Sequence, residues 1–287
     1  MAGAMSSPWA AALPDGRLHL QEGPIDLVIG LDGTRGAMAE ARERACAAFE
    51  GLLAGLVAEL PVLRTPVGVD PPPLQGRVAR RMAAAVWPFR RDTITPMAAV
   101  AGAVAEEVLE AIAGIPGLLA AHVNNGGDIA LHLAPGQSLR VGLVPSLERA
   151  VPEGMVRVRA EDPVRGIATS GWPGRSFSRG IADAVTVLAG TAAQADAAAT
   201  VIANAVDAEH PAVRRAPADS LDPDSDLGAL SVTVEVGALP PGIIEAALDA
   251  GEAVAEALLQ RGLIQGALLV VQGATRVVGE PRLLPGA

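Results

Sequence analysis

Apolar and polar positions along the chain change period several times, and each change marks an element. In "GRLHLQEGPIDLVIGLDG", residues 16–33, the alternation predicts two strands around Glu22-Gly23. "RGAMAEARERACAAFEGLLAGLVAEL" carries a helical pattern and predicts one long helix stopped by Pro61. A Pro-rich loop follows, then a short helix, "RVARRMAAAVWPFRRD", with five arginines between Arg77 and Arg91. In "ITPMAAVAGAVAEEVLEAI", Thr95 suits a helix cap and Pro96 the first position. Ala98, Ala99, Ala101, Gly102 and Ala103 leave one side of that helix very small, so another group can approach its backbone.

Strands are predicted next at "LLAAHV", "DIALHLA", "LRVGLV", "MVRVRAED" and "RGIATS". After the polar loop "GWPGRSFSRGIAD" come a strand, "AVTVLAG", and a helix, "AAQADAAATVIANAV", whose start is fixed by the capping-box spacing of Thr191 and Gln194. "DAEHPAVRRAPADSLDPDSDLG" reads as a long acidic loop. A strand, "LSVTVEVG", a helix closed by Gly262 and a final hairpin, "ALLVVQGATRVVG", complete the pattern. Strand pairs separated by long Ala-rich helices predict an α+β fold, with helices packed on mostly antiparallel sheet. One domain over residues 1–287 is expected, with a division into two sub-lobes near residue 150 as the alternative.

Composition narrows the chemistry. The 287 residues include three Phe, three Trp and no Tyr, so the core must be aliphatic. A net charge of −10 and few aromatics argue against nucleic-acid binding. All basic residues are arginine, which excludes a Schiff-base lysine, a P-loop lysine and a lysine general base. The lone Cys46, inside a helical pattern, reads as a small buried hydrophobe. The first twenty residues lack a basic segment followed by a long apolar one, and no apolar run reaches membrane-spanning length. A cytoplasmic protein with no membrane partner is the expectation, and the Ala-rich helices are compatible with a homo-oligomer.

Three polar knots interrupt this apolar chain. The first is Asn124, Asn125, Gly126, Gly127 and Asp128. On turn chemistry it is a hairpin turn centred on Asn125-Gly126. Its functional reading is a backbone nest for an anion, with Asp128 available to a metal or a ribose hydroxyl. The second, "ATSGWPGRSFSRGIAD", offers Thr169, Ser170, Gly171, Arg175 and Ser176, with Arg179 and Ser178 beyond them. Hydroxyls, a guanidinium and free backbone N–H groups suit a phosphate, and a solvated connecting loop is the alternative. In the third, "ADAAAT", Asp196 and Thr200 are four apart on one helical face, a pair of hard oxygen donors suited to Mg²⁺. An aspartate in a first helical turn also complements the helix dipole. His19, His122, His132 and His210 show no metal spacing, and the arginines from Arg77 to Arg91 read as a solvated helix face.

These knots, in this order, resemble the ApbE family, flavin transferases that use Mg²⁺ and FAD to attach FMN to a protein threonine. "VNNGGDIAL", "IATSG" and "ADAAAT" match, with "TPMAAVAGAVAEE" at the place of the family's "DLGGIAKG" helix. The segments "NNGGDIAL", "GIADAVTVLA" and "ADAAATVIANAV" are similar in more detail to a shorter, uncharacterised branch of ApbE-like proteins. The resemblance implies an ApbE-like fold and a phosphate-bearing small molecule, FAD or FMN, held by the first two knots with Mg²⁺ at Asp196 and Thr200. The family's helix lysine falls at Ala101, and its "H-x-x-D-P-x-x-G" segment contracts to "RGIADAV", leaving Asp183 as the candidate catalytic base without a histidine. A divergent FMN transferase is therefore one reading. An enzyme of cofactor or one-carbon metabolism acting on another nucleotide or a pterin is a second, and a non-enzymatic oligomeric scaffold a third.

Overall fold

A computed structural model describes residues 9–143 and 154–279. The sub-lobe boundary near residue 150 and the end of the strand expected at "LRVGLV" lie outside the described residues. The chain begins with three strands, β1 (Trp9–Ala12), β2 (Leu18–Glu22) and β3 (Ile25–Gly33). The helical stretch behind them is not continuous. It divides into α1 (Arg35–Phe49), α2 (Leu52–Ala58) and α3 (Leu60–Leu63), and the first break falls at Gly51, with φ 73°. Pro61 does not stop the run; it occupies the first turn of α3, where its missing N–H costs nothing.

Helix α4 (Arg77–Val86) precedes a short turn, Pro96–Ala99, capped by the Thr95 hydroxyl, which accepts from Met97 N–H. Helix α5 (Val100–Ala113) follows. Next come β4 (Leu118–Asn125), β5 (Asp128–Leu133), β6 (Ser138–Leu143), β7 (Gly154–Arg159), β8 (Gly166–Ser170) and β9 (Ala184–Ala189). Helix α6 (Ala192–Ala205) starts at Thr191, whose side chain accepts from Gln194 N–H as the spacing predicts. The acidic stretch after it is not all loop: it contains β10 (Val213–Pro217) and the short α7 (Ala218–Leu221), and β10 pairs with β11 (Ser231–Val236). Its alternating Val213, Arg215 and Pro217 are only half-buried or exposed, so hydrophobic alternation is absent there. Helix α8 (Pro241–Gln260) and the hairpin of β12 (Gly266–Val271) and β13 (Ala274–Gly279) close the order.

Nine strands form one antiparallel sheet in the order β1-β2-β3-β4-β5-β8-β9-β12-β13. The fold class is α+β, as expected. One sheet face carries Leu27, Ile29, Val123, Ala130, Val187 and Leu269 into a large core beneath the helices. The other face carries Leu131, Ile167, Leu188 and Val270 into a smaller core covered by the two-stranded β6–β7 sheet. No helix among the described residues is long and apolar enough to cross a membrane.

The small side of α5 receives α6. A Cβ at Gly102 would stand 2.3 Å from the Ala192 carbonyl oxygen, so the helices cross backbone to backbone. Gly102→Ala is expected to cost about 2 kcal/mol, because neither backbone can give way. Thermal melts of the variant check this; an unchanged midpoint would mean that the crossing is loose. Arg77 and Arg80 of α4 are exposed, as expected of a solvated face, but Arg81 is not. Arg81 is largely buried and bridges Glu106 at 3.0 Å, Glu107 at 2.9 Å and Glu110 at 2.6 Å on α5. Glu106 also accepts from Ala193 N–H at 2.8 Å, tying the first turn of α6 to the same network.

Candidate functional site

The three knots converge on one cleft of about 970 Å³ at the tip of the β4–β5 hairpin. Asn124 to Asp128, Thr169 to Gly171, Arg175, Ser176, Asp183, Asp196 and Thr200 line it, whereas Ser178, buried against Asn204, and Arg179 do not.

The hairpin tip differs from the expected turn by one residue. Asn125 pairs with Asp128 in the ladder, so the two-residue loop is Gly126-Gly127, not Asn125-Gly126. Their φ values of +66° and +116° are those such a loop demands and side chains resist. The shift turns the side chains of Asn125 and Asp128 toward the helices, both buried. Asn125 donates to the Ala101 carbonyl at 3.2 Å, anchoring the tip to α5. Asn124 accepts from Gly127 N–H at 2.9 Å, so this N–H of the expected nest is already engaged.

Asp128 and Asp196 meet across the cleft floor. Asp128 accepts from Thr169 N–H at 3.2 Å, and Asp196 from Gly102 N–H at 3.0 Å. Burial pushes the Asp128 carboxyl up to about 7 despite the Thr169 bond. Asp196 is raised well above the ordinary carboxylate range, first by desolvation and then by the negative charge of Asp128. Two desolvated carboxylates that repel each other make a floor that a cation would stabilise. Thr200 lies one helical turn beyond Asp196 on the same face.

Over the tip, the Arg175 guanidinium comes within 3.8 Å of where a Gly126 Cβ would stand. The side chains of Ser170, Arg175, Ser176 and Thr200 make no hydrogen bond within the protein among the described residues. The Thr169 hydroxyl, by contrast, is spent on Thr186 at 2.9 Å. Asp183 is also engaged: its carboxylate accepts from Trp172 Nε1 at 3.3 Å and from Gln272 N–H at 2.5 Å. It joins the "TSG" loop to the β12–β13 hairpin.

The polar floor faces an apolar wall that the sequence did not single out. Leu53, Leu56, Val57 and Leu60 from α2 and α3 oppose Val100 and Val104 of α5. Their helical spacing is that of any core-facing helix, so only the break at Gly51, which swings α2 over the hairpin tip, could have marked them.

Sheet, helices and cleft together define an ApbE-like protein of α+β class. More particularly, the chain belongs to the family described as AbpE bacteria, whose model matches residues 10–277. The resemblance carried by the motifs is thereby borne out. A UPF0280 protein of Methanopyrus kandleri is 38% identical over 174 residues, which cover 58% of this chain and 68% of the relative. A UPF0280 protein of Methanospirillum hungatei is 37% identical over 128 residues, 44% of this chain and half of that one. Among solved structures, the flavinyl transferase ApbE of Pseudomonas stutzeri matches at 15% identity over 98% of each chain, with a TM-score of 0.38. The flavin transferase ApbE of Vibrio cholerae matches at 13% identity over 96% of this chain and 97% of its own, with a TM-score of 0.44.

Proposed function

We propose that the cleft binds a flavin nucleotide, FAD or FMN, together with Mg²⁺. The observation that carries this reading is the buried Asp128–Asp196 pair at the floor of a cleft that also presents Arg175 and uncommitted hydroxyls. Family membership favours a flavin among phosphate-bearing ligands.

The donor set fits the ion. Asp196, Thr200 and the neighbouring Asp128 are hard oxygen donors, as Mg²⁺ requires. No group of three His, Cys, Asp or Glu residues capable of holding a metal occurs among the described residues. The remaining positions then fall to water and phosphate oxygens, which is usual for Mg²⁺. When bound, the ion supplies charge neutralisation for a diphosphate and polarises it.

The chain's own groups divide the remaining work. Arg175, over the hairpin tip, offers a fork of donors to phosphate oxygens, and Ser170 and Ser176 add hydroxyl donors. The aliphatic wall of Leu53, Leu56 and Leu60 takes the apolar body of the ligand and excludes water from the floor. Asp183 positions the "TSG" loop through Trp172 and Gln272, and we assign it that role in preference to general base, since its oxygens already accept two hydrogen bonds. A divergent flavin transfer would place its acceptor hydroxyl at this floor, without help from a lysine at Ala101.

Calorimetric titration of the full chain with FAD and FMN, with Mg²⁺ and with EDTA, tests the proposal. Binding is expected with Mg²⁺ and loss of most of it with EDTA. No binding of either nucleotide would end the flavin reading. Mass spectrometry that finds a pterin or a different nucleotide copurified would move the site to that ligand.

A further inference from the structure

A second, smaller cavity lies between the outer face of the main sheet and β6. It has a volume of about 220 Å³ and is lined by His122, Leu139 and Arg140, together with Asn124, Ile129, Val141 and Gly142, which it shares with the cleft. The two spaces therefore adjoin.

His122 is held there by construction. On β3 its cross-strand partner is Gly30, and a Cβ at Gly30 would stand 2.1 Å from His122 Cε1. Only glycine leaves room for the ring to lie across the strand. The imidazole is largely shielded from solvent, and burial, followed by the charge of Arg17, lowers its pKa below the ordinary histidine range. A neutral ring keeps one N–H donor and one acceptor nitrogen. Neither nitrogen has a hydrogen-bond partner among the described residues. Arg140 lines the same cavity; it is exposed and makes no ion pair or hydrogen bond among the described residues.

We propose that His122 and Arg140 form a second ligand site, distinct from the flavin cleft, for a small anionic group of phosphate or carboxylate type. Arg140 supplies the charge and a fork of donors. His122 N–H supplies a directional bond from within, and the aliphatic side chains of Leu139, Val141 and Ile129 shield both from water. The site does not need a flavin in the cleft, because none of its charged or hydrogen-bonding side chains is a proposed flavin contact, apart from the shared Asn124.

The test is NMR of histidine-labelled full-length protein. The chain has four histidines, and the His122 ring signals are assigned by their loss in His122→Gln. Phosphate, pyrophosphate and malonate are titrated separately at constant ionic strength, with sodium chloride as control. Saturable movement of the His122 signals is expected with at least one of the three anions, and the arm that binds most tightly tells phosphate from carboxylate. Arg140→Ala, an exposed substitution, is expected to weaken that binding about tenfold or more. Asp196→Asn is expected to leave it unchanged, so that loss of flavin binding and loss of this site are separable. No saturable shift, the same shift with chloride, or full affinity in Arg140→Ala would overturn the proposal.

Discussion

Asp196→Asn is expected to weaken Mg²⁺-dependent flavin binding about a hundredfold or more, some 2.8 kcal/mol at about 1.4 kcal/mol per tenfold, while leaving the fold at least as stable. The two halves of this result have separate causes. Asn keeps a carbonyl oxygen to accept from Gly102 N–H, so the hydrogen bond at 3.0 Å survives. It removes the negative charge that Asp128 opposes, and with it a repulsion that the folded chain carries and the unfolded chain does not. What it cannot supply is an anionic oxygen for a divalent ion. A residue whose removal costs function and relieves the fold is held for function. Calorimetry with FAD and Mg²⁺, paired with melts in EDTA, reads both quantities. Undiminished binding would place the ion away from Asp196. A clear loss of stability would make the carboxylate a structural acceptor instead.

Local chemistry foretells most of this arrangement, and long-range packing accounts for the rest. The Thr95 and Thr191 caps, the β2–β3 and β12–β13 hairpins and α6 follow from residues within a few positions of each other. The hairpin at Gly126-Gly127 is legible in kind, but its register is not. "NNGG" allows either two-residue loop, and the choice is made by Asn125, whose amide is anchored to Ala101 twenty-four residues earlier. Likewise the fate of Arg81 depends on Glu106, Glu107 and Glu110 in the next helix, which no helical wheel of α4 alone contains. The sequence marks Asp128 as a ligand-binding residue by itself. Its pairing with Asp196 arises only because β5 passes under α6. His122 carries no signal of its own, because a strand histidine has no pattern; the telling residue is Gly30, and its meaning depends on strand pairing. The smallness of Ala98 to Ala103 does imply close approach, and the group that approaches is α6.

With Mg²⁺ removed, stability is expected to fall as pH rises from about 5 to about 8, against the common tendency of carboxylate-rich proteins to gain stability over the acid part of that range. Asp128 has an ordinary value of 3.8 when exposed and about 7 in the fold, and Asp196 is raised in the same direction. Between those values the folded chain binds more protons than the unfolded one. The derivative of unfolding free energy with pH is then negative. The favourable contribution is fully present below the unfolded value and is lost as pH passes through the folded value. Each pH unit that separates the unfolded from the folded value is worth about 1.4 kcal/mol, so Asp128 contributes a few kcal/mol across this window, and Asp196 acts in the same direction. Other acids titrate as well, so the measured quantity is the difference between the native chain and Asp128→Asn in urea melts at several pH values. The variant keeps an oxygen for Thr169 N–H and is expected to show a flatter profile, with the greater stability of the two at about pH 8. Added Mg²⁺ is expected to raise the stability of the native chain most at high pH, since the ion favours the charged carboxylates that burial disfavours. Equal pH profiles for the two proteins in EDTA would show that the Asp128 carboxyl is as well solvated as one on the surface, and the electrostatic case for a cation at this floor would go with it.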